Sequence, residues 1–185
     1  GTVTLIGAGG TSGTISGIYN CYYRYVDDRD GHKRYSDLSP VTQTGDLDRV
    51  TEIEWTGLAQ SSQSRVNKIE LWRTAVADAN TNKLYLIVTL GHNGTITSSS
   101  ENDPKVEFTI PKGHGLIVGS VISVAGHSVG GYNTTHEITE IDSSGTSDVL
   151  TTDFTHASDG TGGTWTSTGF KGDNNTDATL QALEF

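Results

Sequence analysis

Several groups of residues in this 185-residue chain have types and spacings that chemistry could use. The opening stretch VTLIGAGGTSG, residues 3–13, runs from a short apolar segment into Gly7, Gly9, Gly10 and Gly13. A dinucleotide site begins in a similar way. Its glycine turn opens a helix whose N–H groups face a pyrophosphate, and an acidic residue follows about 20 positions on. Here the glycines lead into TISGIYNCYYRYV, which is β-branched, aromatic and broken by glycine, so a strand follows and no cofactor site is assigned. Residues 1–16 are read instead as a glycine-rich arm or a first strand, and residues 7–13 as a segment that orders only against a neighbour, by strand addition.

The C-terminal stretch DNNTDATLQALE places Asp173, Asn175, Asp177 and Glu184 at positions 1, 3, 5 and 12 of a calcium loop, with Leu180 at position 8. Position 6, where the loop turns sharply, holds Ala178 in place of glycine. The reading set against calcium is a turn followed by a short helix, N-capped by Asp177, whose Leu180 and Leu183 close a core. Asp27, Asp28 and Asp30 read as a solvated hairpin tip rather than a metal site. The histidines at 32, 92, 114, 127, 136 and 156 are dispersed, and none has the i, i+4 pairing of a zinc protease. His114, between glycines in KGHGL, reads as a turn residue. No G-x-S-x-G elbow is present and no nucleophile–base pair can be named, so we expect a protein that is not an enzyme. Tyr22, Tyr25, Trp55, Trp72, Tyr132 and Trp165 offer aromatic surface for stacking on a sugar, with Tyr132 and Trp165 the candidate contacts to a glycan or partner; the competing reading is core and cross-strand packing.

Composition bounds what can hold these residues. Hydrophobic residues make up 33% of the chain, with 23 glycines and 3 prolines, which suits short strands, many turns and thin cores. The net charge of −10, with 12 basic residues scattered, opposes nonspecific nucleic-acid binding. Cys21 is the single cysteine, which excludes an internal disulfide and a cysteine-based zinc site. No apolar run approaches the roughly 20 residues that span a bilayer, so no membrane partner is expected. The chain opens on glycine and has no methionine, from which we expect a processed or excised part of a longer product.

Period-2 alternation dominates the chain. Tyr19, Cys21, Tyr23 and Tyr25 share one face and Tyr22, Arg24 and Val26 the other, before a turn at Asp30-Gly31 and an edge segment that stops at Pro40. Ile53 and Trp55 alternate with Glu52 and Glu54, and Ile69, Leu71 and Arg73 with Lys68, Glu70 and Trp72. KLYLIVTL (83–90) is apolar on both sides and reads as a central strand. GHNGTITSSSENDP reads as a linker, followed by about five short strands. The fold class is all-β: an antiparallel β-sandwich of residues 17–92 with 170–185, carrying a second small β-barrel or sandwich (93–169) inserted in a loop.

Two stretches carry a resemblance. YYRYVDDRDGHKRYSDLSP, then VNKIELWRT and KLYLIVTL, with a closing F…D…TDATL…L, resembles the β-sandwich modules of tailed-phage virion structural proteins, which are similar to fibronectin type III and immunoglobulin-like domains. The features are "SxLSP", "I-x-L-W-R-T" and a terminal "D-x-x-x-D-x-x-L" lock. VEFTIPKGHGLIVGSVISVAGH…GYNTTHEITEID…GGTW resembles a small β-module of phage tail and appendage proteins, with Ser120 where aspartate is usual and Thr134 where glycine is usual. The resemblance implies a non-enzymatic virion structural or assembly protein of the capsid, neck or tail, assembled in the bacterial host cytoplasm, whose partners are copies of itself and other virion proteins. The alternative is a glycan- or receptor-binding module of a tail fibre or bacterial surface adhesin, outside the cell, with a host-surface glycan as partner.

Overall fold

The computed structural model describes residues 3–8, 12–76 and 83–182. The chain forms two compact units, one of Gly1–Thr89 with Phe170–Phe185 and the other of Leu90–Gly169. Every registered strand pair is antiparallel.

The first unit contains β1 (Thr4–Ala8), β2 (Ile15–Gly17), β3 (Asn20–Asp27), β4 (Arg34–Tyr35), β5 (Thr42–Gln43), β6 (Leu47–Val50), β7 (Glu52–Thr56), β8 (Lys68–Arg73) and most of β9 (Tyr85–Gly91). β1 pairs with β7, β2 with β6, and a larger sheet runs β4-β3-β8-β9 with β5 also on β3. The alternation read from the sequence decides which side chains are inside: Ile53 and Trp55 of β7, and Ile69, Leu71 and Arg73 of β8, are all fully buried. KLYLIVTL differs from its reading. β9 lies at the end of the sheet path and exposes Leu86 by 39%. An apolar run states that side chains can be buried, and leaves open how many strands flank them.

The opening stretch pairs within its own chain as a first strand, one of the two readings of residues 1–16; residues 9–11 of the expected arm lie outside the described residues. Thr4–Ala8 matches Glu52–Thr56 in register, with Leu5 opposite Trp55, so the apolar residues of β1 already have a ladder. Gly13 donates its N–H to the Arg49 carbonyl at 2.6 Å, and a Cβ at Gly13 would fall 1.9 Å from the Val50 oxygen. Glycine is required there for backbone-to-backbone contact, not for a pyrophosphate.

The edge segment has a particular construction. The backbone N–H groups of Ser36 and Ser39 donate to the carbonyls of Tyr25 and Tyr23, and their hydroxyls accept the N–H groups of the same two tyrosines at 3.0 Å. Thr44 does the same for Tyr19. Ser36 and Ser39, three positions apart on the edge, thus answer Tyr25 and Tyr23, two positions apart on β3, with hydroxyls replacing carbonyl acceptors. This is the physical content of the SxLSP pattern, and it closes an edge that would otherwise be free to pair.

In the second unit lie β10 (Asn93–Thr95), β11 (Ser98–Asn102), β12 (Lys105–Ile110), β13 (Ser120–Ala125), β14 (Thr135–Asp142), β15 (Asp148–Thr155), β16 (Gly160–Thr161) and the first part of β17 (Thr164–Asp173). The path β17-β13-β14-β15-β12-β11-β16 closes on itself, because β10, two residues before β11, pairs back onto β17. A ring of strands encloses Phe108, Tyr132, Ile138, Leu150 and Trp165. The expected linker is therefore β10 and β11, part of the barrel wall: Ile96 is 3% exposed and Ser99 is buried. Serines and threonines hid these strands, since alternation is invisible where both faces are polar. β17 leads back to the first unit and to α1 (Asp177–Gln181), whose Leu180 packs with Ala75 and Tyr85, while Leu183 lies outside the described residues. The helix N-cap is Thr176, whose hydroxyl accepts the Thr179 N–H at 3.2 Å; Asp177, expected there, is the first helical residue.

Replacing residues 90–169 by a short flexible linker is expected to leave a cooperatively melting β-protein, because closure entropy grows slowly with loop length. Near-ultraviolet dichroism and a single thermal transition check this, and a molten product contradicts it.

Candidate functional site

The C-terminal acidic residues meet a cation supplied by the chain itself. Strand alternation carries Arg73 to the inner face of β8, where its side chain is 0% exposed. Its Nε donates to Asp173 Oδ2 at 2.7 Å and its Nη2 to Asp173 Oδ1 at 3.3 Å, a bidentate pair with both side chains fully buried. Nη2 also donates to the Asn175 carbonyl, Nη1 donates to the Thr74 carbonyl at 3.3 Å, and Asp177 Oδ1 lies 3.9 Å from Nη1. The guanidinium carbon sits 4.6 Å from the centre of the Tyr19 ring. Asp177 Oδ2 accepts the Val76 N–H at 3.0 Å. Of the calcium candidates, Asp173, Asn175 and Asp177 are thus gathered around Arg73, and Glu184 lies outside the described residues. Among the described residues no group of three or more His, Cys, Asp or Glu is arranged to hold a metal ion. Neighbouring groups register this centre: burial, then the Asp177 charge, pushes the Tyr19 hydroxyl up to about 12, and burial with the Asp173 charge pushes the Cys21 thiol up.

The hairpin acids also have partners. Asp27 faces Arg29 Nε at 3.3 Å, Arg34 Nη1 at 3.6 Å and Arg65 Nε at 3.2 Å. Burial works against its charge, but the hydrogen bonds from Arg29 and the charges of Arg29 and Arg65 hold its carboxyl below the usual range. Asp28 is held down by Lys68 and Asn67, and Asp30 by Arg34, whose Nη2 donates to it at 2.7 Å. Besides Arg29 of the tip itself, the basic partners are Arg34 of β4, Arg65 of the segment before β8 and Lys68 of β8, so sequence proximity identified the acids and missed most of their partners.

Tyr132 and Trp165 are corrected from surface contacts to core. They are 0% and 1% exposed. The Tyr132 hydroxyl accepts the Ala157 and Ser158 N–H groups at 2.7 and 3.0 Å and lies 2.9 Å from the Ser158 carbonyl. Trp165 lies opposite Gly94, where a Cβ would come within 2.8 Å of the indole, so the strand makes room for the ring by having no side chain. Fully buried aromatics in this setting cost about 3–5 kcal/mol when truncated to alanine. Half-exposed aromatics lie elsewhere: Tyr22 pairs across the strands with Trp72, and Arg24 sits 5.0 Å from the Trp72 ring and 4.0 Å from that of Tyr35, which is 47% exposed.

The departures from the small-module pattern have local explanations. Ser120 is buried and its hydroxyl accepts the Ile117 N–H at 3.0 Å, the role a short acidic side chain would fill. Asn133, with φ −76° and ψ 66°, makes a tight turn in which the Thr134 N–H reaches the Tyr132 carbonyl at 2.8 Å. His114 Nδ1 accepts the Leu116 N–H at 2.9 Å, so Nε2 carries the proton toward Asp148 at 2.9 Å, and the ring organises its turn. His127 and His136 pack edge-on against Phe108, and burial holds both below the ordinary imidazole range. His136 donates Nε2–H to the Tyr132 carbonyl at 2.8 Å, leaving a buried Nδ1 without a partner.

With this geometry in hand, comparison of the chain with protein-family models, curated proteins and solved structures finds no match.

Two outcomes are expected. Asp173→Ala leaves the Arg73 charge buried and unpaired, and stability falls by about 3–5 kcal/mol; the fall is the same in calcium and in a chelator, as thermal melts in the two media will show. The native state keeps His127 and His136 neutral, while the unfolded chain binds protons below about pH 6.5. The stability they contribute is present above that pH and is lost as pH falls through it. Melts between pH 7.5 and 5 are expected to show this slope, and His136→Phe to flatten it.

Proposed function

We propose that the protein is a non-enzymatic structural or assembly component of a tailed-phage virion, acting through repeated contacts with copies of itself and with other virion proteins. The observation that carries this reading is the part played by the residues of the resemblance. Ser36 and Ser39 of SxLSP close the sheet edge, Arg73 of the I-x-L-W-R-T strand holds the sandwich interior, and Asp173, Asp177 and Leu180 of the terminal lock bind the end of the chain to it. Motif residues that maintain the scaffold in this way fit a module selected for its shape. The immunoglobulin or fibronectin type III assignment is part of the same proposal, as is the place of action, the virion assembled in the host cytoplasm. The inserted barrel is the part available to face solvent or a neighbouring subunit.

A second reading, a glycan- or receptor-binding module of a tail fibre or surface adhesin, is favoured by the Tyr22, Trp72 and Tyr35 face with Arg24. Quantitative mass spectrometry of purified particles and of host cell-surface fractions separates the two. A fixed, symmetric copy number per particle is expected. Absence from particles with recovery at the cell surface overturns the virion reading in favour of the adhesin.

A further inference from the structure

Beside the β3–β4 hairpin of the first unit is a cavity of about 270 Å³. Tyr25, Tyr35 and Val66 supply its apolar side, the Asp27 carboxylate lies in its wall, and Arg34 and Arg65 also line it. Their side chains are 51% and 66% exposed. Both arginines share Asp27 with Arg29, and Arg34 also holds Asp30, so three guanidinium groups face two carboxylates. Arg65 engages Asp27 through Nε at 3.2 Å while its side chain is 66% exposed, so a planar fork with five donors stands within reach of a ligand. An apolar recess bordered by under-compensated guanidinium groups suits a carboxylate carried on an apolar stem, because the fork matches the two carboxylate oxygens and the recess takes the methylenes.

The distribution of charge identifies the occupant. The chain carries −10 overall, yet Arg29, Lys33, Arg34, Arg65 and Lys68 in and beside the β3–β4 hairpin outnumber Asp27, Asp28, Asp30 and Asp37. Residues 90–169 have the opposite character, with nine Asp and Glu against Lys105 and Lys112. A molecule with one basic recess and a strongly acidic second unit is complementary to another copy of itself in a head-to-tail sense. We infer that the Arg34–Arg65 recess receives a glutamate or aspartate side chain of a second copy of this chain. The inference rests on the assembly reading above and specifies its contact.

Sedimentation velocity on the full chain at 50 mM and 500 mM salt tests it. Concentration-dependent association is expected at low salt and its loss at high salt, where exposed charges more than a few ångströms apart are screened. Arg34→Glu with Arg65→Glu is expected to weaken association at least tenfold. Arg65→Gln alone, at the most exposed of these side chains, is expected to weaken it severalfold while leaving the melting temperature unchanged. Lys105→Glu with Lys112→Glu alters the charge equally and is expected to preserve association. A chain that stays monomeric at low salt up to roughly 0.1 mM, where weak contacts register, overturns the inference. Equal association by the arginine variants does so too. Binding of free glutarate at the recess without self-association would assign a small carboxylate and overturn the second copy. Association through these arginines by a chain absent from particles would leave this contact standing and defeat the virion reading; the double arginine variant at full copy number in particles would do the reverse.

Discussion

A guanidinium group buried between two strands and an aromatic ring is tolerable only with its charge matched and its donors occupied, and much of the first unit is arranged around meeting that requirement at Arg73. Desolvating such an ion in isolation costs several kcal/mol. Asp173 supplies the counter-charge in bidentate form, the carbonyls of Thr74 and Asn175 take further donors, and Tyr19 covers one face of the plane. Asp173 is 100 residues away along the chain, with the entire second unit between, so the pair can form only after the inserted segment has been bypassed. The contact therefore makes the C-terminal segment part of the sandwich. It sets Asp177 beneath the Val76 N–H and brings Leu180 against Tyr85. A hydrophobic residue of similar size at 73 could stabilise the core as well, but it would not select Asp173 from the alternatives; we attribute the ion pair to specificity of closure.

A second constraint is the treatment of unpaired backbone along β3. Tyr19, Tyr23 and Tyr25 give their N–H groups to Thr44, Ser39 and Ser36 hydroxyls, and Asn20 gives its own to Thr74 at 3.1 Å. Each hydroxyl replaces a carbonyl where the neighbouring chain has slipped out of one-to-one register. The result is an edge satisfied internally, at the cost of irregularity, which is how a sheet avoids uncontrolled pairing. For a protein proposed to work in arrays this matters: association is left to side chains at a chosen place instead of to any exposed ladder.

The inserted barrel shows the same economy in another form. Its wall strands expose Thr95 and Ser100 and bury Ser99, Ser120 and Ser167, while Phe108, Tyr132 and Trp165 fill the interior and Phe108 makes T-shaped contacts with Tyr132 and two neutral histidines. A thin core built of large rings packs densely with few residues, and the low hydrophobic content follows from that. The buried imidazoles fit because they remain uncharged, which ties the stability of this unit to pH.

What the sequence determined by itself was everything carried by local period and turn chemistry. The inward faces of β7 and β8, the strands from 105 to 155 and the short C-terminal helix were legible because side chains alternate in strands and because a capping residue precedes a helix, although the cap is Thr176 and not Asp177. So was the strand, in place of a helix, that follows the glycine-rich opening. The tertiary structure decided matters of partnership. Which cation meets Asp173, which arginines surround Asp27, and whether Tyr132 and Trp165 face sugar or core all depend on residues distant along the chain, for which spacing carries no information. β9 became an edge and the serine-rich stretch after Leu90 became barrel wall for the same reason: local pattern tells a segment to be extended, and only its neighbours determine where it lies and what it covers.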